Sequence, residues 1–258
     1  INAAIQKGDL DAFNAAWHSA GENAVHHAVA DKATLGRRLQ AWCRDVHREL
    51  GAAGAFDAIR DDDHDAIRKA MQALKRQQLL CARREGEFGA EQVNAAIEAD
   101  MRKRIMESSD ETWYPGRAVM ITRNDYAYDL FNGDVGICLR DGNGALKVWF
   151  ESGPKQASDS LAAGKDPGLR SLATGSLPAH QGAFATTVHK SQGSEYGRVA
   201  VLLPPDKDNA VLSRQLLYTA LTRAKARIEL WGKQEVLEAA LARPVERSAA
   251  LRRRIESQ

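Results

Sequence analysis

The chain has 258 residues, which is more than a minimal domain needs and less than two full domains. Hydrophobic residues make up 44% and charged residues 27%, proportions typical of a globular protein with a substantial core. The formal net charge of +2 excludes a strongly basic nucleic-acid coat and a disordered acidic tail. A local basic track is still possible in the second half, because residues 1–113 carry a net charge of −3 and residues 114–258 one of +5.

Cysteine usage and hydropathy narrow the class of protein. Cys43, Cys81 and Cys138 lie far apart without a CxxC spacing, so we expect no disulfide framework and no structural zinc, and a reducing compartment is favoured. No apolar run approaches the roughly 18 residues of a membrane span, and no signal peptide pattern opens the chain. Residues 1–7 (INAAIQK) read as the middle of a helix, so we expect a fragment of a longer protein.

Residues 1–75 are predicted to form helices with short breaks. Asp9 is expected to cap one helix and Thr34 the next, whose apolar residues recur at helical spacing until the glycine-containing segment 51–54. The acidic run at residues 61–65 (DDDHD) has two interpretations, a metal site or charges that complement a helix N-terminus. The second interpretation is favoured, because no apolar strand precedes the run.

The middle of the chain changes from helical to period-two patterning. A buried strand is predicted over residues 77–82 and a helix over 90–106. Short strands with tight turns follow, at residues 118–122, 135–139 and 146–150. This pattern predicts a small SH3-like barrel. Residues 152–181 are rich in Gly, Ser, Ala and Pro without periodicity, so we expect a long, partly mobile loop there.

The order of elements after residue 183 is typical of a doubly wound α/β domain. Strands are predicted at residues 183–188, 198–203 and 227–231, with a helix from Ser213 between the last two and a helical tail from Gln234.

One loop carries many hydrogen-bond donors. Residues 186–195 (TTVHKSQGSE) follow a predicted strand with hydroxyls, an imidazole, an ammonium group and a glycine. Open α/β sheets bind ligands at the carboxyl ends of their strands, and small residues let backbone N–H groups approach a phosphate. A phosphate-facing loop and a plain connection are equally good interpretations of the spacing alone.

The helix at residues 213–225 (SRQLLYTALTRAK) ends with Arg223, which follows Thr219 by one helical turn. Arg223 could pair with an acidic neighbour or reach a phosphate through both guanidinium nitrogens. From the residues alone, the salt bridge is favoured.

Together these stretches resemble a known family. Residues 187–195 (TVHKSQGSE) and 217–224 (LYTALTRA) are similar to motifs V and VI of superfamily 1 helicases. Their residue sequences resemble in particular those of the RecD family, the alpha subunits of bacterial exodeoxyribonuclease V. Residues 113–125 (WYPGRAVMITRND) with 130–136 (LFNGDVG) resemble the RecD segment that opens an inserted SH3-like subdomain, 2B. The resemblance spans most of residues 75–245. Tyr196, where Phe is common, and the 152–181 loop depart from it.

The resemblance implies a fold and a division of the chain. We expect an α/β fold: a RecA-like, P-loop NTPase-like helicase domain 2A at residues 76–113 and 183–258. The SH3-like barrel 2B is expected as an insertion at residues 114–182, and residues 1–75 as a helical lead-in.

The resemblance also implies nucleotide-binding residues. Arg223 is the expected catalytic residue, an arginine that stabilises charge on the transferred γ-phosphate of ATP. Gly193 and Glu195 are expected to bind the nucleotide with it. The cofactors are ATP and Mg²⁺, with the Mg²⁺ ligands outside this chain, so no metal site is expected here.

A second set of residues is expected to bind single-stranded DNA. Thr187, His189 and Ser191 would face the DNA backbone, where hydroxyls and imidazoles fix register without reading sequence. Additional candidates are Arg123, Asn124 and Asn132 of the expected barrel. For these three, hydrogen bonding within turns and strand ends is an equally good interpretation.

The implied function is that of a motor half. The sequence contains no GxxxxGK[ST] motif, so we expect the chain alone neither to hydrolyse ATP nor to unwind DNA. The expected parent is a cytoplasmic bacterial 5′→3′ DNA helicase that acts with RecB-like and RecC-like subunits in double-strand-break repair and recombination. The alternatives are a non-catalytic DNA- or protein-binding module and a stand-alone RecD-like helicase.

Overall fold

The computed structural model of the protein describes residues 1–106, 111–151 and 168–244. Its strands, in chain order, are β1 Ala24–His27, β2 Ala58–Ile59, β3 Gln77–Cys81, β4 Ala118–Ile121, β5 Val135–Asp141, β6 Leu146–Glu151, β7 Leu169–Ala173, β8 His180–Gly182, β9 Ala185–Thr187, β10 Tyr196–Leu202 and β11 Ala224–Trp231. Its α-helices are α1 Asn2–Lys7, α2 Leu10–Ser19, α3 Lys32–Ala52, α4 His64–Leu74, α5 Ala90–Ile105, α6 Arg214–Leu221 and α7 Gln234–Ala242. The α/β class expected from the sequence is confirmed.

The first sheet consists of five parallel strands in the order β1-β11-β10-β3-β9. Its central strands are buried on both faces, as β3 is along its whole length, which is the pattern of a parallel sheet covered by helices on each side. Residues of α3, α4 and α5 contribute to the core on one face, and residues of α1, α2, α6 and α7 to the core on the other. The predicted strands at 77–82, 183–188, 198–203 and 227–231 all lie in this sheet.

Strand β1 adds an edge to this sheet that the helical prediction for residues 1–75 did not contain. It pairs in parallel with β11, with Ala24 opposite Ile228. Its sequence, AVHH, is short and polar, so it lacks the apolar run by which a buried strand is recognised. Ile5, Phe13 and Trp17 of the preceding helices are buried in the same core as α6 and α7. The expected division into three segments stays a prediction.

The second sheet has the order β7-β6-β5-β4-β8, with antiparallel neighbours, and the short β2 pairs in parallel with the end of β5. The strands predicted at 118–122, 135–139 and 146–150 are confirmed as β4, β5 and β6. The loop prediction for 152–181 is wrong in its second part, which contains β7 and the start of β8. Leu169 and Leu172 are buried and hold β7 against β6, although the other residues of β7 are polar or small. Residues 152–167 lie outside the described residues.

Side-chain caps define several helix starts. Asp9 caps α2 by accepting a hydrogen bond from the Ala12 amide, as predicted. The cap of α3 is Asp31, and Thr34 is its partner three residues later in a reciprocal capping box, so the prediction for Thr34 is corrected. Asp63 of the acidic run caps α4. Among the residues that the structure describes, no group of three His, Cys, Asp or Glu side chains could hold a metal ion.

A buried carboxylate joins α3 to the first sheet. Glu229 of β11 is fully buried, and its oxygens lie 2.6 Å from Arg198 Nη2 and 3.2 Å from Arg38 Nη2. The Trp231 indole N–H also donates to it at 3.0 Å. Burial alone raises the pKa of the Glu229 carboxyl, but the Trp231 hydrogen bond and the Arg198 guanidinium lower it overall. The charge is therefore satisfied inside the fold.

We predict that Glu229→Ala lowers the free energy of unfolding by about 3–5 kcal/mol, because Arg38 and Arg198 lose the buried carboxylate between them and, in the described part of the chain, only Arg198 keeps another, that of Asp45. Urea denaturation checks this, with the exposed Glu238→Ala as the control that stays near wild type. The pKa of Glu229 is lowered on folding, so its contribution is complete above the ordinary carboxyl pKa and declines as the pH falls through the lowered value. An equal loss of stability in both variants would contradict the role of Glu229.

Candidate functional site

The loop at residues 188–195 runs from the carboxyl end of β9 to the amino end of β10, an interior strand of the first sheet. Thr187, the last residue of β9, lies level with Cys81 at the end of β3, whereas Arg198 lies level with Gln77 at the start of β3. These levels differ by four residues of β3, or about 13 Å. The sequence interpretation placed the whole loop at the carboxyl ends of the strands. In the structure the loop begins there and returns to the amino ends.

The first half of the loop is exposed beside the second sheet. Thr187 is half-buried, and its hydroxyl oxygen accepts a hydrogen bond from the Lys190 amide at 3.3 Å. His189 and Lys190 are exposed. The Lys190 ammonium lies 3.4 Å from the side-chain oxygen of Gln181 in β8. This contact joins the loop to the second sheet near the carboxyl end of β9.

Ser191 occupies the interior of the loop, so the expectation that its hydroxyl faces a ligand is corrected. Its side chain is 1% exposed and its hydroxyl donates to the Val188 carbonyl at 2.7 Å. The Ser191 amide donates to the Thr187 carbonyl at 3.2 Å, and the Ser191 carbonyl accepts from the Ser194 amide at 3.0 Å. Ser191 therefore holds the two halves of the loop together from within.

The second half of the loop is open to solvent. Gly193 has a φ of 86°, a backbone conformation that favours glycine, and Ser194 and Glu195 are exposed with it. The Glu195 carboxylate lies 3.2 Å from the Lys225 ammonium, and both side chains are more than half exposed. A pair this exposed contributes little to stability, so Glu195 can exchange this partner for a ligand.

Arg223 lies against this second half of the loop. It follows α6 and precedes β11, and its backbone carbonyl accepts from the Tyr196 amide at 2.8 Å. Its guanidinium donates to the carbonyls of Ser194 and Thr219, at 3.1 and 3.2 Å, and to the Thr222 hydroxyl at 3.2 Å. The sequence favoured a salt bridge for Arg223, but within the part of the chain that the structure describes Arg223 has no acidic partner. Neutral carbonyls orient the guanidinium without neutralising its charge.

Two buried amides that the sequence interpretation missed hold the strand before the loop. The Asn94 side chain of α5 accepts from the Ala185 amide at 2.9 Å and donates to the Ala185 carbonyl at 2.5 Å. The Gln78 side chain of β3 donates to the carbonyls of Ala183 and Phe184. Because β9 is an edge strand, Asn94 satisfies backbone groups of Ala185 that a further strand would otherwise pair, and Gln78 binds the carbonyls just before the strand begins. A polar residue in a predicted buried strand, such as Gln78, was the available signal.

The three weaker candidates lie together on the second sheet. Arg123 and Asn124 follow β4 and are exposed, as is Asn132 before β5. The Asn124 side-chain oxygen accepts from the Asn132 amide at 2.8 Å. This is a hydrogen bond within a turn, the alternative to DNA contact for these residues. Backbone pairing of β4 with β8 joins this group to Gln181, the partner of Lys190. The candidates therefore form two sets, one with Thr187 and His189 and one with Gly193, Glu195 and Arg223.

Comparison with known proteins gives a consistent result. Residues 182–230 match the family described as the UvrD-like helicase C-terminal domain. The RecBCD enzyme subunit RecD of Mycolicibacterium smegmatis is 35% identical over 257 residues, which cover 99% of this chain and 41% of that protein. The ATP-dependent RecD2 DNA helicase of Deinococcus radiodurans is 33% identical over 186 residues, 70% of this chain and 23% of that protein. The RecD subunit of Haemophilus influenzae is 35% identical over 179 residues, which cover 69% of this chain and 24% of that protein.

The matched region contains both halves of the loop and Arg223, so this part of the chain is of the UvrD-like helicase C-terminal class. Within that class it belongs to the RecD family, and the similarity fits the C-terminal part of a RecD subunit. The chain spans between about a quarter and two fifths of the length of these relatives. In the described residues, no helix is long and apolar enough to cross a membrane.

We predict that Ser191→Ala loosens the loop without unfolding the protein, because the Val188 carbonyl loses its hydroxyl donor. The expected cost is about 1 kcal/mol of stability. Amide hydrogen exchange checks this, with faster exchange expected at the amides of residues 191 and 194. The exposed neighbour Gln192→Ala is the matched control and should leave both rates unchanged. Unchanged exchange in Ser191→Ala would contradict the role of the hydroxyl.

Proposed function

We propose that the chain is the C-terminal motor part of an ATP-dependent DNA helicase subunit of the RecD type. The observation that carries this proposal is the contact of Arg223 with the carbonyl of Ser194. This contact joins residues 187–195 and 217–224, the two segments similar to helicase motifs, at the amino ends of the strands. Such an arrangement suits a guanidinium that must be held in place and remain charged until an anion arrives. The relatives named as RecD subunits and as an ATP-dependent RecD2 DNA helicase support the same assignment.

Arg223 has the role of the charge-stabilising arginine in phosphoryl transfer. Its guanidinium would contact the γ-phosphate of ATP held by another domain of the complete protein, and Mg²⁺ would be held there too. Its three neutral acceptors fix its orientation before ATP binds, which is the preorganisation that makes electrostatic stabilisation effective. Exposed Glu195 would accept hydrogen bonds from the nucleotide, and Gly193 would allow close approach of the backbone.

The DNA-binding face is the first half of the loop. Thr187 and His189 would contact the phosphates of single-stranded DNA, with Lys190 beside them as an exposed cation. Arg123, Asn124 and Asn132 would continue this contact on the second sheet. Ser191 does not belong to this face because its side chain is buried.

The finer architecture follows from the same proposal. The five-stranded parallel sheet would be the core of the RecA-like domain 2A, with β1 of the lead-in added at its edge, and strands β4–β8 would belong to the SH3-like 2B insertion. The complete protein would translocate 5′→3′ in the cytoplasm of a bacterium and act with RecB-like and RecC-like subunits in double-strand-break repair and recombination. This chain without the ATP-binding domain would be inactive.

The relative named RecD2 supports a second form of the proposal, a stand-alone helicase. Affinity purification of the complete protein from its own cells separates the two forms. Recovery of two large partner subunits in equal amount supports the exodeoxyribonuclease V assignment, and recovery of the protein alone supports the stand-alone helicase.

We predict that Arg223→Ala in the complete protein lowers the kcat for DNA-stimulated ATP hydrolysis by about 10³–10⁵-fold, the effect of an arginine that stabilises the phosphoryl transition state. Affinity for single-stranded DNA should be unchanged. Arg223→Lys should also fail, because an ammonium lacks the planar fork. Steady-state ATPase assays check this, with the exposed Arg48→Ala as control. Full turnover in Arg223→Ala would make Arg223 structural and favour the non-catalytic binding module.

A further inference from the structure

The loop between β4 and β5 presents a cluster of exposed aromatic rings, here called the aromatic tip and consisting of Tyr126, Tyr128 and Phe131. Their exposed fractions are 78%, 45% and 42%, and they are the large hydrophobic side chains that stand out as exposed in the described part of the chain. The rings of Tyr126 and Phe131 meet edge to face with centroids 6.2 Å apart. Neither the sequence interpretation nor the comparisons give these rings a role.

The aromatic tip is held in a fixed shape by its own backbone. The amides and carbonyls of Asp125 and Leu130 pair in both directions, at 2.7 and 2.9 Å, and Leu130 is fully buried beneath the loop. One Asp125 carboxylate oxygen accepts from the amides of Ala127 and Tyr128. Exposed rings on a preformed loop lose little conformational entropy when they bind a flat partner.

The charges around the aromatic tip come close to cancelling, so they do not exclude a nucleic acid. The Asp125 carboxylate is engaged by backbone amides, and the Asp134 carboxylate accepts from the Phe131 amide at 2.9 Å. Asp134 and Asp129 also lie 3.4 and 3.8 Å from the Arg170 guanidinium. Arg170 offsets one of these carboxylate charges, and the exposed Arg123 at the base of the loop offsets another.

The aromatic tip continues the surface on which the proposed DNA-binding residues lie. Thr122, at the base of the loop, donates from its amide and hydroxyl to the Ala179 carbonyl just before β8. Gln181 in the same strand contacts Lys190 of the DNA-binding half of the loop. These contacts connect the loop that carries His189 to Arg123 and to the base of the aromatic tip.

We propose that the aromatic tip stacks on the bases of single-stranded DNA whose backbone is held by Thr187 and His189. This inference rests on the proposed function and deepens it, because it adds a base-contacting subsite to a backbone-contacting one. Stacking accepts every base, so the tip would strengthen binding without selecting a sequence.

The test measures binding of the complete protein to two fluorescein-labelled probes of about 16 nucleotides, an oligothymidylate and an abasic strand with the same backbone. On the oligothymidylate, Tyr126→Ala and Phe131→Ala should each raise the Kd roughly fivefold or more, the effect of removing one stacking ring. Tyr126→Phe keeps the ring and should bind as the wild type does. On the abasic strand all three variants should match the wild type, whereas His189→Ala should bind both probes more weakly.

The outcomes separate this inference from the proposed function. If the wild type binds DNA and both alanine variants bind the oligothymidylate equally well, the stacking role is wrong and the proposed function stands. If the alanine variants lose a partner protein instead of DNA affinity, the tip is a protein-docking surface and the inference is overturned. If the complete wild-type protein binds neither probe, both proposals fail. Thermal unfolding of each variant should match the wild type because the substituted rings are exposed.

Discussion

The site depends on a hydrogen-bonded relay through a single loop. The Thr187 carbonyl accepts from the Ser191 amide, the Ser191 carbonyl accepts from the Ser194 amide, and the Ser194 carbonyl accepts from the Arg223 guanidinium. This relay begins at the carboxyl ends of the strands and ends at their amino ends. The proposed DNA-binding and nucleotide-binding residues therefore share one continuous element, although they lie at opposite ends of the strands.

Both ends of the relay are anchored in buried polar contacts. The Asn94 amide fixes the Ala185 backbone just before Thr187, which prevents the short edge strand β9 from fraying. At the other end, Arg198 and Glu229 join β10 and β11, the strands that follow the loop and Arg223. Burial of charged and polar groups is costly unless they are fully paired, so these contacts favour one arrangement of the loop over its alternatives.

The sequence was sufficient where local physics determines the structure. The β-branched and apolar runs predicted β4, β5 and β6, and an aspartate before a helical pattern predicted the Asp9 cap. It was insufficient where a contact joins distant residues. The strand AVHH at β1 forms because β11 offers an unpaired edge, and β7 forms because β6 does. Thr34 and Asp31 are equally good caps by residue type, and only the backbone geometry at Asp31 decides between them.

The candidate site divides in the same way. Similarity of residues 187–195 and 217–224 to helicase motifs singled out these two segments, and in the structure a hydrogen bond from the Arg223 guanidinium to the Ser194 carbonyl joins them. Residue type alone misassigned Ser191, because a serine in a donor-rich loop looks like a ligand contact whether its hydroxyl points outward or inward. Asn94 was missed because its partner, Ala185, is 91 residues away and bears no functional group of its own.

Because the hydrogen bonds of the relay join the proposed DNA-binding and nucleotide-binding faces, we expect binding at one face to change affinity at the other. In the complete protein, the Kd for single-stranded DNA is measured with and without a non-hydrolysable ATP analogue, for the wild type and for Ser191→Ala. We expect the analogue to change the wild-type Kd by a factor of about 5–150, the usual range of coupling between sites. Ser191→Ala keeps these backbone hydrogen bonds but removes the hydroxyl that holds the loop to the Val188 carbonyl, so this factor should be smaller in the variant while each ligand still binds. A factor equal to that of the wild type would contradict a role of the loop in joining the two faces.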